Sequence, residues 1–404
     1  MNDHRKLGRE LGLFHSDPLV GAGLPIWLPD GAAARHAVES YLYELERRNG
    51  YQHVYSPPMA KVRMYELSGH RPHFTDDMFP PMALSDGESL EDQLVLRPSL
   101  CPHHAMVFAS RGRSYRELPL RIGEIGAMFR AERSGVLGGL SRVRSISLND
   151  GHLFCAPERV VDEIAEALRL MRLAHKALDF VPSSFRLSLP GAGGKYVDDP
   201  SMWVRAEADL RGALDLAGVS YVEAEGEAAF YGPKVDVQVV DAAGRESTLA
   251  TVQVDYFQPA RFDLSYVDAD GSRQRPVMVH RSAAGSMERL FAHLIEVHDG
   301  AFPAWYAPLQ VAVLPVGAGQ DPPARDLAQR CLAEGLRVRE VPEGSLGARI
   351  REMAVRKVPY VAVIGAREAA SGSVSLRSRG GEERVLPVPD ALAELIAAAK
   401  APVQ

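Results

Sequence analysis

The chain has 404 residues, 46% hydrophobic and 24% charged, ordinary globular usage that excludes disordered and fibrous classes and leaves room for roughly two to four domains. A net charge of -6 argues against a protein coated in basic surface for nucleic acid. No apolar run approaches the ~18 residues of a membrane span, the start Met1-Asn2-Asp3-His4-Arg5-Lys6-Leu7 lacks a signal peptide's apolar stretch, and three cysteines (Cys101, Cys155, Cys331) make no disulfide framework, so a cytoplasmic setting is expected.

In chain order, Asp30 is expected to cap a helix over 31–49, with Val38, Leu42 and Leu45 on one stripe and Gly50 after it. A strand over about 52–56 meets Pro57-Pro58. Short β-like runs follow at 94–96, 124–130 and 142–148. A helix after Pro157 carries Val161, Ile164, Leu168 and Met171 on one face, and further β-like runs come at 228–240, 248–256 and 276–280. Few crossover helices separate these runs, so an antiparallel sheet is expected.

Asp299-Gly300, Pro303 and Pro308 interrupt the pattern, placing a boundary near 299–308. Beyond it the chain reads as strand Gln310–Val316, helix Ala324–Glu334 with Gly335 at its end, strand Leu336–Val341, helix Leu346–Arg356 and strand Tyr360–Ile364. A hairpin (about 373–378 and 384–388) and a helix (about 390–399) close it. Such alternation implies βαβ units on a mostly parallel sheet. Charge divides at the same place: Trp305 to Gln404 holds 13 basic and 11 acidic residues, leaving 33 against 41 before it.

Two segments carry candidate chemistry. Arg121–Ile146 reads as two strands joined by a loop bearing Gly135, Gly138 and Gly139, with Arg130 and Arg142 on opposite arms. Guanidinium forks at strand ends suit phosphate oxygens, although solvated charges are the commoner outcome for an arbitrary hairpin. Pro276–Arg289 reads as a strand, a small-residue turn and a helix, with Met278 and His280 on one strand face and Arg289 in the early helix. Cys101-Pro102-His103-His104 is compact, but no second cluster stands at zinc-finger spacing. Asn149-Asp150-Gly151-His152 could equally be a turn, Tyr231-Gly232-Pro233-Lys234 reads as a turn between strands, and phosphate loops of the Walker or dinucleotide type are absent.

Together these segments resemble a class II aminoacyl-tRNA synthetase, and within that class the threonyl-tRNA synthetases, over nearly the whole chain. The helix 31–49 with Pro57 resembles the class dimer motif, Phe129-Arg130-Ala131-Glu132 with Arg142 the second motif, and Gly285-Ser286-Met287-Glu288-Arg289 the third. Asp3–Gly8, Cys101-Pro102, Phe230–Lys234, Thr251–Asp255 and Val279-His280-Arg281, in that order, carry the threonyl resemblance. It implies an α+β protein: an antiparallel-sheet catalytic domain over 1–303, then an α/β anticodon-binding domain over 304–404 with a mostly parallel or mixed sheet. It implies a homodimer with no membrane association whose partners are ATP, L-threonine and tRNA(Thr), with magnesium on the ATP.

One zinc ion per subunit is implied on Cys101, His152 and His280, with Asp150 accepting from the threonine hydroxyl. Such a site would reject valine, which lacks the hydroxyl. Arg130, Glu132, Arg142, Gln253 and Arg289 are the implied ATP residues; Tyr231 and Lys234 complete the amino-acid side. Arg351, Lys357, Glu368 and Arg377 are the implied anticodon contacts. The chain departs from the family at Ile146 (usually an aromatic against adenine), Leu148 (usually glutamine), His103 (usually glycine), and Glu343 and Ser345 (usually Asn and Lys). Because the match begins at residue 3, no room is expected for the family's N-terminal editing region, and seryl-tRNA formation is expected unless a separate protein edits. The competing readings are a paralogue with another amino-acid substrate, an enzyme charging a carrier protein, and a non-catalytic tRNA-binding regulator.

Overall fold

The computed structural model describes residues 3–193, 195–241 and 243–402. The larger sheet is built from β1 (Gln52–His53), β2 (Leu120–Phe129), β3 (Ser145–Cys155), β4 (Ser184–Leu189), β5 (Val222–Glu225), β6 (Lys234–Val240), β7 (Glu246–Asp255) and β8 (Val277–Ser282). Over the described residues its order is β1-β2-β3-β8-β7-β6-β4-β5. Every pairing from β2 to β4 is antiparallel, as expected; the short edge pairs β1/β2 and β4/β5 are parallel.

One face of this sheet is covered by helices α1 (Pro29–Arg48), α3 (Val160–Ala177), α4 (Pro200–Leu216) and α5 (Met287–Val297), whose apolar stripes share a core with Val237, Val252 and Val279. Ile164, Leu168 and Met171 of α3 are fully buried there. Helix α2 (Cys101–Ala109) lies apart, packing Phe108 against Phe154 with ring centroids 4.7 Å apart.

Several expectations need correcting. Helix α1 begins at Pro29, and Asp30 lies in its first turn instead of capping it. Proline's fixed φ and missing N–H suit that first position, and the acidic side chain there favours the helix dipole. The segment Asn149–His152 is mid-strand in β3, because tertiary packing overrides turn composition. Gly151 is needed there: a Cβ would lie 2.5 Å from the Arg281 guanidinium carbon. Of the run 228–240 only Lys234 onward is strand. The elements β4, α4 and β5 went unassigned from sequence, although Asp199 before Pro200 is a true cap, its carboxylate accepting from the Met202 N–H at 3.0 Å.

The C-terminal part comprises β9 (Val311–Pro315), α6 (Asp321–Ala333), β10 (Val338–Glu340), α7 (Leu346–Val355), β11 (Tyr360–Ile364), β12 (Ser373–Ser378), β13 (Glu383–Pro387) and α8 (Val388–Ala399). Its strands run β10-β9-β11-β12-β13, parallel among the first three and antiparallel through the last hairpin, a mixed sheet. It has its own apolar clusters, whereas Phe302, Trp305, Tyr306 and Ala307 pack into the large core. The three cysteines are free and buried, and among the described residues no helix is long and apolar enough to cross a membrane.

Candidate active site

Register places the site. Directly opposed residues on neighbouring strands share a sheet face. The pairings Ile122↔His152, His152↔His280, His280↔Gln253 and Gln253↔Lys234 form one row across β2, β3, β8, β7 and β6. His152 and His280 therefore sit side by side, with His152 Nε2 2.9 Å from His280 Nδ1. Cys101, opening α2, completes the group: one donor atom from each of the three lies within 4.8 Å of the others, and all three residues are buried.

The remaining ring nitrogens decide whether the group fits a metal. Asp255 Oδ2 accepts from His280 Nε2 at 2.8 Å; Asp255 also accepts from the Phe257 and Gln258 N–H groups. His152 Nδ1 is 2.7 Å from His104 Nδ1, and His104 Nε2 is 3.2 Å from Glu124 Oε2. Burial pushes the Glu124 pKa up, but hydrogen bonds from His104 and Ser56 and the Arg97 charge outweigh it and hold the carboxyl at about 2. Both outer nitrogens are thus engaged by acceptors or a relay, and two inner nitrogens converge on the Cys101 thiol. Thiolate and imidazole donors with carboxylates behind them fit zinc. His70, which the sequence reading missed, stands beside them with Nε2 3.6 Å from Cys101 Sγ.

His152 and His280 line a cavity of about 400 Å³, together with Asp150, Tyr231, Gln253, Arg130, Glu132 and Arg289. Burial raises the Asp150 carboxyl to about 7, with Arg281 pulling the other way. Tyr231 stacks on His280 and donates from its hydroxyl to Gln253 Oε1 at 2.5 Å. Arg130, just past β2, lies over the Phe74 ring at 5.1 Å. Arg289 donates to the carbonyls of Thr248 at 2.8 Å and Ser141 at 3.2 Å. The turn before it requires glycine: Gly285 has φ +70°, and a Cβ would lie 2.0 Å from the Leu249 carbonyl oxygen.

Two expected residues stand differently. Lys234 is in the row but outside the cavity lining, its ammonium donating to Asp236. Arg142 lies on the loop and donates to Glu132 at 2.8 Å, so these two implied ATP residues pair with each other. Ile146 and Leu148 both line the cavity. Of the anticodon candidates, Lys357 and Arg377 line one groove. Arg351 is exposed on α7, and Glu368 accepts from the Gly365 N–H at the start of its own short helix.

Comparison with known proteins bears on the family. A model described as the tRNA synthetase class II core domain (G, H, P, S and T) matches residues 84–298, and one described as an anticodon binding domain matches 310–398. The protein named Threonine--tRNA ligase from Levilactobacillus brevis is 49% identical over 400 residues, 98% of this chain and 61% of its own length. The one from Lactiplantibacillus plantarum is 50% identical over 386 residues, 95% and 58%. The chain spans about three fifths of the length of these curated relatives. A crystal structure described as the RNA binding domain of threonyl-tRNA synthetase from Cryptosporidium parvum superposes with a TM-score of 0.92 at 31% identity, covering 99% of both chains. A putative threonyl-tRNA synthetase from Aeropyrum pernix gives 0.83 at 26% identity, covering 99% of this chain and 98% of its own. The fold, the two matched domains and these relatives agree: the chain belongs to the class II tRNA synthetase family, among relatives named as threonyl-tRNA synthetases.

Proposed function

We propose that the chain activates L-threonine with ATP to threonyl-adenylate and transfers the threonine to the 3′ end of tRNA(Thr), acting in the cytoplasm as a homodimer. The supporting observation is the single cavity that joins Asp150, His152 and His280, with Cys101 beside them, to Arg130, Glu132 and Arg289. The threonine carboxylate attacks the α-phosphate of ATP and pyrophosphate leaves. Arg130 holds the α-phosphate and meets the charge that develops on it. Glu132 accepts from the adenine amino group, Arg289 holds the γ-phosphate and lies against the adenine face, and Arg142 gives up its pairing with Glu132 to join the nucleotide. Magnesium accompanies the ATP phosphates.

Gln253 completes the nucleotide site, Tyr231 serves the amino-acid side with Lys234 acting from just outside the cavity lining, and Asp150 accepts from the threonine hydroxyl. Cys101, His152 and His280 would hold a zinc ion, which would supply a Lewis acid for recognition of the substrate's amino group and hydroxyl. Residues 1–303 form the catalytic domain in this reading. Residues 304–404 read the anticodon, with Arg351, Lys357, Glu368 and Arg377 as its contacts.

ATP–pyrophosphate exchange across the amino acids, with zinc analysis of the same preparation, tests the reading. Threonine supports exchange, serine is slower by about 10–200-fold because it lacks one methyl, and valine is rejected. About one zinc per chain is expected. A second reading, a different amino-acid substrate, is favoured by Leu148 lining the cavity where the family usually has glutamine. Exchange with another amino acid in place of threonine would establish it, and no exchange with any would leave a tRNA-binding regulator.

A further inference from the structure

Behind His152 stands a second imidazole that the proposed reaction does not use. His104 is fully buried, three residues after Cys101 and on the same face of α2. Its Nδ1 lies 2.7 Å from His152 Nδ1, and its Nε2 lies 3.2 Å from Glu124 Oε2. Glu124 cannot turn away. Its carboxylate accepts from the Ser56 hydroxyl at 2.6 Å, the Ser56 N–H at 3.2 Å and the Arg97 guanidinium at 3.2 Å.

This geometry fixes the direction of each hydrogen bond. Glu124 is engaged by three further donor groups and acts as acceptor, so the proton between it and His104 sits on His104 Nε2. The Nδ1 of a neutral His104 then has a lone pair, and the proton between the two imidazoles sits on His152 Nδ1. His152 Nε2 is left with its lone pair aimed at the point where His280 Nδ1 and Cys101 converge. The two ligand imidazoles are therefore set by different means. Asp255 holds His280 directly, whereas Glu124 holds His152 through an intervening ring.

We propose that His104 is a positioning residue for the metal: relayed from Glu124, it fixes the tautomer and orientation of His152 and so sets the affinity for the ion. The proposal rests on the metal reading given above and extends it to a residue outside the ligand set. Outer partners of this kind change metal affinity by about 10–100-fold when removed.

The test measures binding of Zn2+ by competition with a chromogenic chelator, and the visible spectrum of the Co2+-loaded chain, for the wild type, His104→Leu and His104→Gln. A glutamine side chain can accept from His152 Nδ1 and donate to Glu124, so it restores both contacts. His104→Leu is expected to weaken Zn2+ binding by about 10–100-fold and alter the Co2+ spectrum, with His104→Gln closer to the wild type. Thermal melts without metal verify folding. Where His104→Leu gives no cooperative melt, His104→Asn takes its place, its shorter amide unable to span both partners. Equal affinity in the wild type and the disrupted variant, or no recovery in His104→Gln, overturns the proposal. A wild-type chain that takes up no Zn2+ removes the metal reading and the relay with it, a result distinct from a bound ion indifferent to His104.

Discussion

At the scale of single residues, the site depends on a few side chains with no spare room. Replacing Arg130 by Ala should lower threonine-dependent pyrophosphate exchange by about 10²–10³-fold, the usual effect of removing one preorganised donor from developing charge. Exchange within a factor of two of wild type would exclude Arg130 from that role. Gly285→Ala tests the turn before Arg289 on a different footing. Its φ of +70° and the Leu249 carbonyl 2.0 Å from the added Cβ force the backbone to move. A loss of about 1–3 kcal/mol in denaturant melts is expected, with weaker ATP binding because Arg289 moves too. Motif residues such as Cys101, His152 and His280 were legible because they fall on recognisable strings. Their supports were not: Asp255, Glu124 and His70 reach the site from other elements, and a linear pattern carries no trace of such contacts. His104 stood in the compact Cys101-Pro102-His103-His104 run, and its i+3 spacing from Cys101 puts the two on one helix face.

At the scale of elements, α3 illustrates both what sequence reveals and what it hides. Its apolar stripe is plain from periodicity, and Ile164, Leu168 and Met171 are buried as that stripe requires. His175 on the same helix is buried too, with its Nε2 3.0 Å from the Ala283 carbonyl oxygen, and burial pushes its pKa from the ordinary 6.5 down to about 4. Above 6.5 neither state is charged there. Below it the unfolded chain binds a proton that the folded chain refuses, so stability falls as pH drops from about 6.5 to about 4. A full shift of this size corresponds to about 3 kcal/mol. Denaturant melts at about pH 7 and about pH 4.5 should show His175→Gln losing less stability over that interval than wild type; parallel losses would remove His175 as a cause. Strand limits were less legible than helices. Turn-forming residues in β3 hid a strand that runs through the site, and β4, α4 and β5 lacked a strong enough pattern to stand out.

At the scale of the whole molecule, sequence reading found both parts and the character of each sheet, because strand–helix alternation and its absence are long-range patterns. The join between them is finer than a proline boundary suggests. Trp305 Nε1 donates to the Ala177 carbonyl at 3.2 Å, and the Tyr306 hydroxyl donates to that of Leu178 at 3.4 Å, so these rings belong to the core beneath α3. An N-terminal fragment ending at residue 303 should therefore be less stable than one ending at 308, by at least about 3 kcal/mol for the lost aromatic burial. Equal melting of the two would place the boundary at 303 after all. The sheet order has a consequence for how the protein is made. Strand β8, the last of its sheet in sequence, lies at the centre between the β2/β3 hairpin and the β6/β7 hairpin. During synthesis both hairpins can close while β8 is still unmade. The row that holds His152, His280 and Gln253 exists only once β8 slots between them, so the nascent chain brings its Cys101–His152–His280 group together in one late, long-range step.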